Sequence, residues 1–367
     1  MHRIQAISRR QFLKLTALSA GSLAFSPWVN SPWLADFPDA ERLGRVCVGK
    51  IDLKARADEN SQTVGVLYED AVVPWLHEVV GPKPYYISQR WVETPQGYIY
   101  SPYLQPVHYF PNQPVEKLQV NSLGEGLWME VTVPYTDVTL EREPSSHSWV
   151  EALIEIGMPV RVYYGQVFWV DQIRTTESGR IQYRINPNFY GGVDLLWVEA
   201  AALRPITEEE ITPISPDIEN KRIEIDVIQQ SLSCFEDGRE VFFCRVSTGA
   251  KFDAYGNAVD KWATPLGKHR ISRKYLTLQM SGGTTGAGYD LPGIGWTSIF
   301  VTGGVAIHST FWHNDYGVPR SHGCVNVRPE HAKWIFRWTT PHVSYDGGYA
   351  DVTASGTTST PVEVYES

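Results

Sequence analysis

From residue 43 to residue 365 the apolar residues come in short runs. Glycine, proline, asparagine or aspartate closes each run within a few positions. Such punctuation denies the chain long helices and favours short strands joined by turns. The 30 Gly and 24 Pro among 367 residues supply the turns, while 13 Trp and 19 Tyr supply large side chains for small cores. At 43% hydrophobic and 20% charged, the chain has ordinary globular values. The length leaves room for two or three domains. A net charge of −9 argues against nucleic acid as a partner.

Two stretches read as small β units. In residues 42–108, strand-like runs at 46–48, 64–67, 72–76 and 90–93 alternate with turns at 58–61 and 95–97. In residues 122–207, the runs 138–142, 158–163, 167–173 and 181–185 repeat the pattern. Residues 98–107 and 197–206 match without a gap as aromatic, β-branched, polar, turn residues, Leu, polar, Pro, apolar. This is a weak internal repeat. The expected fold is therefore mostly β, with one or two small barrels ahead of a β-sandwich-like domain with short helices. The first unit resembles a bacterial SH3-like domain and the second a diverged copy. That resemblance implies binding of cell-wall peptide or spacing of a catalytic domain. Tyr85, Tyr86 and Tyr103 either line such a groove or fill the small cores. Residues 208–220, with three consecutive glutamates and two prolines, read as a linker or lid strand.

The N-terminus, residues 1–35, reads as an address. Ser8-Arg9-Arg10-Gln11-Phe12-Leu13-Lys14 precedes a modest apolar run at 15–25, too short to span a bilayer comfortably. The segment resembles a twin-arginine export signal. That implies a prokaryotic protein exported to the periplasm or cell wall, either released or left with an uncleaved membrane tether. The other reading is a basic amphipathic helix.

The last domain, residues 221–367, carries the chemistry. Ser321-His322-Gly323-Cys324-Val325-Asn326 packs hydroxyl, imidazole, thiol and carboxamide into six positions, a mixture a core strand does not need. Upstream, Ala306-Ile307-His308-Ser309 reads as the end of a buried strand. A cysteine and a histidine distant in sequence suit thiolate catalysis. The other thiols, Cys47, Cys234 and Cys244, lie in no paired spacing and read as packing residues. Asp237-Gly238 marks a hairpin. With that pair as the loop, Cys234 faces Val241 and Cys244 faces Ser231, some 10 Å apart at about 3.3 Å per residue. No disulfide between Cys234 and Cys244 is expected. Residues 329–338 read as a helix and 361–365 as the last strand.

Three motifs occur in order: Val246-Ser247-Thr248-Gly249, Thr264-Pro265-Leu266-Gly267, and His308 with the run 321–326. Together they resemble an L,D-transpeptidase catalytic domain of the YkuD family. The resemblance implies attack by Cys324 on the carbonyl of a peptidoglycan stem tetrapeptide, release of D-alanine, and resolution of the thioester by an acceptor amine. It makes His308 the base, oriented by the Ser309 carbonyl. It gives His322 and Asn326, with Ser321, to the substrate pocket and Trp312 to its wall. The backbone amides of Gly323 and Cys324 are natural donors to an oxyanion. Arg328, by charge and proximity, is a candidate for the donor stem's terminal carboxylate. No cofactor and no metal is expected.

Other readings stay open. Water in place of the amine would make an L,D-carboxypeptidase. His308, His313, His322 and Cys324 carry donors that suit zinc, but no carboxylate base accompanies them. A wall-binding protein with an inactive catalytic domain is a third class. His313, five residues after His308, is an alternative base or a packing histidine.

Overall fold

In a computed structural model, the structure describes residues 33–145, 148–186, 194–252, 257–282, 289–352 and 358–367. Residues 1–32, most of the segment read as an export signal, lie outside the described residues, as do residues 283–288. Among the described residues no helix is long and apolar enough to cross a membrane.

The chain is mostly β. The first module has a three-stranded sheet in the order Val72–Pro74, Leu43–Val46, Leu104–Val107. A five-stranded sheet in the order Thr63–Tyr68, Lys50–Lys54, Gly97–Tyr100, Arg90–Thr94, His77–Val80 accompanies it. Val46, Leu53, Trp75, Val92, Ile99 and Leu104 fill the space between them. The sheets are open rather than closed into a barrel. One ladder narrows to the single pair Lys54↔Tyr98, and Pro74 has no N–H to extend the other.

The second module is one larger open sheet, ordered Arg161–Tyr163, Tyr135–Leu140, Leu196–Glu199, Ile181–Asn186, Val167–Thr175, Gly124–Val131, Leu203–Pro205. Both segments of the internal repeat fold as strand, 3-10 turn, strand: Gly97–Tyr100, Ser101–Tyr103, Leu104–Val107, and Leu196–Glu199, Ala200–Ala202, Leu203–Pro205. A helix that the sequence reading passed over, Trp149–Glu155, opens with the Ser148 hydroxyl accepting the Glu151 N–H at 3.2 Å. Ser-x-x-Glu is a capping-box pattern, so the signal was present.

The third domain is a sandwich. One sheet runs Arg239–Arg245, Ser231–Glu236, Lys221–Asp226, Pro361–Tyr365, Gly267–Arg270. The other runs Val325–Val327, Val305–Ser309, Tyr289–Val301, Arg273–Gly282, Tyr349–Asp351. The helix Pro329–Trp338, with proline in its first turn, packs Ala332, Ile335, Phe336 and Trp338 into the shared core. Trp128, Val167, Trp169, Ile206 and Ile211 from outside the sandwich join that core, so the second module and the sandwich are fused by apolar contact. Residues 208–220 are packed rather than free. Arg204 and Lys333 both pair with Glu210, and Ile211 is buried.

The hairpin turns at Asp237-Gly238, both at positive φ. Its register differs from the sequence reading by one residue. A bulge after Cys234 places Cys234 opposite Phe242 and Cys244 opposite Leu232. The extra residue lets both thiols point into the core, where each is buried and free.

Candidate active site

Two adjacent parallel strands bring the site together. Val305–Ser309 pairs with Val325–Val327 in the register Ile307↔Val325, His308↔Asn326, Ser309↔Val327. Side chains alternate across a strand. Ile307, Val325 and Val327 enter the main core, while His308 and Asn326 lie side by side on the other face. Cys324, two residues before Asn326, falls on the same face and packs beside Ala306, Ile299 and Phe311. A register shift of one residue would send His308 into the core and dismantle the pair.

The turn before Cys324 is locked from three sides. Ser321 Oγ accepts the Gly323 N–H at 3.1 Å and donates to the Cys324 carbonyl. Thr264 Oγ1 accepts the Gly249 N–H at 2.9 Å and donates to the Gly323 carbonyl at 2.8 Å. Ser247 and Asn326 exchange both backbone bonds, at 3.0 and 2.8 Å. The three sequence motifs thus meet at one point. Gly323 has φ +115°, a conformation side chains avoid. At Gly249 a Cβ would sit 1.9 Å from the Trp262 carbonyl oxygen, so only glycine fits.

His308 is 2% exposed. Its Nδ1 lies 2.8 Å from the Ser309 carbonyl, which can only accept, so Nδ1 carries the proton. Nε2 is then a lone pair, and Asn326 Nδ2 donates to it at 3.1 Å. Burial lowers the imidazole's pKa to about 4, against a smaller opposite push from the Ser309 bond. Burial likewise pushes the Cys324 thiol up to about 11, opposed by a backbone hydrogen bond from Ala306. Thiol and imidazole are therefore both neutral at rest, and Cys324 Sγ meets the Gly304 carbonyl at 3.8 Å.

The remaining expected residues divide into two groups. His322 is exposed at the mouth, its ring 4.3 Å from Trp262 and 5.1 Å from Tyr289 between centroids. Trp312 lies 6.0 Å from the His308 ring. Ser321 braces the turn, and the Gly323 amide, engaged by Ser321, is not free for a ligand in this arrangement. Arg328 lies elsewhere. It lines a cleft of about 520 Å³ with Arg90, Arg245, Tyr316 and His331, between the first module and the sandwich, and neither Cys324 nor His308 borders that cleft. Two residues escaped the sequence reading: Trp262 and Tyr289 flank His322, yet both sit outside the motifs. His313, which the sequence left between base and packing residue, contacts Asn326 Oδ1 at 3.2 Å. Among the described residues, no three His, Cys, Asp or Glu side chains are grouped to hold a metal.

Residues 220–364 match the YkuD family model, described as an L,D-transpeptidase catalytic domain. No curated protein matches the chain. Among solved structures, it is similar to a mutant of the Enterococcus faecium L,D-transpeptidase, at 24% identity over 44% of this chain and 56% of that one, TM-score 0.30. It is also similar to an L,D-transpeptidase from Mycobacterium smegmatis, at 18% identity over 53% of this chain and 81% of that one, TM-score 0.30. Mycobacterium tuberculosis L,D-transpeptidase 1 gives 17% over 53% and 85%, TM-score 0.27. The alignment with the enterococcal enzyme spans a little over half of that chain's length.

Proposed function

We infer that the protein, whose residues 220–364 are a YkuD L,D-transpeptidase catalytic domain, cross-links peptidoglycan stem peptides through a thioester on Cys324. The observation that carries the reading is the pairing of His308 with Asn326 across two parallel strands, which sets the thiol two residues along on the same face. His308 Nε2 is the ring atom without a proton, so it is the atom able to receive one from the thiol once the Asn326 amide, which donates to it in this arrangement, gives way. With the thiol near 11 and the imidazole near 4, a resting ion pair is disfavoured. Proton transfer therefore accompanies attack on the carbonyl of the stem tetrapeptide. As the Sγ–C bond forms and the C–N bond to D-alanine breaks, His308 returns the proton to the leaving amine. An acceptor amine then displaces the thiolate, and His308 takes that amine's proton and returns it to the Cys324 sulfur.

The Cys324 amide is the natural donor to the oxyanion, joined by the Gly323 amide when Ser321 rotates away. His322, Trp262 and Tyr289 form an aromatic mouth for the stem peptide. The basic leader at 1–35 supports export to the cell wall or periplasm, where that substrate lies, and the two N-terminal modules support contact with wall peptide.

The test incubates purified protein with a defined stem tetrapeptide, with and without an acceptor amine, and follows thioester, dimer and tripeptide by mass spectrometry. A thioester on Cys324 and cross-linked dimer are expected, both absent in Cys324→Ala. Tripeptide without dimer would make the protein a carboxypeptidase, and turnover by Cys324→Ala would overturn the thiol mechanism.

A further inference from the structure

We propose that His313 is a positioning residue that, through Asn326, reinforces the tautomer the Ser309 carbonyl sets on His308, the one able to accept a proton, and that the first module fixes His313 by clamping the next residue. The proposal rests on His308 being the base. Four hydrogen bonds form one unbroken line through the buried side of the site. The Asp315 backbone N–H donates to His313 Nδ1 at 3.1 Å. His313 Nε2 meets Asn326 Oδ1 at 3.2 Å. Asn326 Nδ2 meets His308 Nε2 at 3.1 Å, and His308 Nδ1 meets the Ser309 carbonyl at 2.8 Å.

The two ends of the line decide every proton in between. A backbone N–H can only donate, so His313 Nδ1 must accept, and a neutral His313 then carries its proton on Nε2. That proton needs an acceptor, which fixes Asn326 with Oδ1 toward His313 and Nδ2 toward His308. From the other end the Ser309 carbonyl demands a proton on His308 Nδ1, leaving Nε2 to accept from Asn326. Both readings give the same amide orientation. Reversing the Asn326 amide would set two acceptors against each other at His308 and two donors at His313. His313, Asn326 and His308 are 3%, 2% and 2% exposed, so water cannot repair such a mismatch. Burial, and then the Arg320 guanidinium, hold His313 neutral, as the line requires.

What keeps His313 in place comes from outside the catalytic domain. Asn314 is fully buried. Its N–H donates to the Pro102 carbonyl at 3.1 Å, and its side-chain amide donates to Ser101 Oγ at 3.2 Å. Arg90 donates to the Asn314 carbonyl at 2.8 Å. Pro102, Ser101 and Arg90 all belong to the first module. That module therefore reaches the base through two residues of a loop, and does more than carry the domain to its substrate.

The experiment reads imidazole tautomers directly, by long-range proton–nitrogen correlation on the full chain labelled at histidine. At pH 7 the wild type should show His308 protonated on Nδ1 and His313 on Nε2. Finding His313 protonated on Nδ1 would overturn the proposal without any variant. In His313→Leu, the Asn326 amide loses the partner that orients it, so a minor Nε2-protonated population of His308 should appear beside the Nδ1 form the Ser309 carbonyl still favours, and kcat for the stem tetrapeptide should fall about 10-fold, part of the general-base contribution, with KM little changed. His313→Gln, whose amide can both donate to Asn326 and accept from Asp315, should restore most of the rate and the tautomer. A His308 tautomer and kcat unchanged in a folded His313→Leu would sink the idea. If the wild type shows the expected tautomers but processes no stem peptide, the functional reading fails while the hydrogen-bonded line stands.

Discussion

At the scale of single residues, the site is built from neutral groups held in a dry environment, and pH exposes this. The His308 imidazole is lowered to about 4, so the acid limb of kcat/KM should fall near pH 4 rather than near the ordinary histidine value. A rate profile with defined stem peptide checks this, and a limb near 6.5 would contradict a buried base. The same shifts bear on stability. His308 and His313, lowered to about 4 and about 3, are neutral in the fold but protonate near 6.5 once unfolded. The unfolded chain binds more protons below that pH, so stability is full above about 6.5 and declines as pH falls. Each histidine should cost on the order of 3 kcal/mol by pH 4. Denaturant titrations from pH 7 to 4 should show the decline, with a shallower slope in His313→Gln. Cys324 and His308 stand out in the sequence as candidates because a thiol and an imidazole in such company have little structural use. The role proposed for His313 does not, because it depends on a carboxamide thirteen positions away that only strand pairing brings near.

Among the elements, the turn holding Cys324 depends most on one hydroxyl. Thr264 bridges the Gly249 amide and the Gly323 carbonyl in a buried position. Thr264→Val keeps the shape but leaves a donor and an acceptor unmet, a loss of about 3 kcal/mol. Thermal unfolding should register that loss, and thioester formation should slow because the turn loses its brace. A variant as stable and as fast as wild type would remove Thr264 from this role. The terminal helix and the last strand, Pro329–Trp338 and Pro361–Tyr365, could be read from proline placement and alternation alone. The hairpin bulge could not. One extra residue on the returning strand, Val241, opposite the step from Cys234 to Phe235, satisfies the core by turning both thiols inward, and no local signal marks it. The central strand Tyr289–Val301 shows no simple apolar alternation along its 13 residues. It is covered on both faces, so its polar residues are sealed by neighbours rather than by alternation.

For the whole molecule, Arg45 is the keystone among the three parts. It is 3% exposed and donates to Asp70 at 2.7 Å, Gln105 at 3.0 Å and the Phe311 carbonyl at 2.6 Å. Its guanidinium lies over the Tyr163 ring, 4.1 Å from the centroid. Asp70 also receives Arg161 of the second module at 2.9 Å. Arg45→Met should therefore leave a buried carboxylate short of a partner and release the loop that carries Trp312 and His313. Removing one member of such a pair costs about 3–5 kcal/mol. Urea unfolding should show a lower midpoint, and the rate on stem peptide should fall as well. An unchanged rate in the destabilised variant would separate the junction from the site.

The sequence by itself determined the strand-rich class and the motifs of the YkuD domain that the family model matches at residues 220–364, and it singled out Cys324 and His308 as candidates. Turn residues, alternation and reactive side chains are local properties, written where they act. Only the tertiary structure decided the open sheets, the hairpin register, the place of Arg328 in the inter-module cleft, and the line from Asp315 through His313 and Asn326 to His308. Each of these depends on which backbone donor or acceptor lies opposite another across tens or hundreds of residues. That pairing is settled by packing the whole chain and is visible in none of its segments.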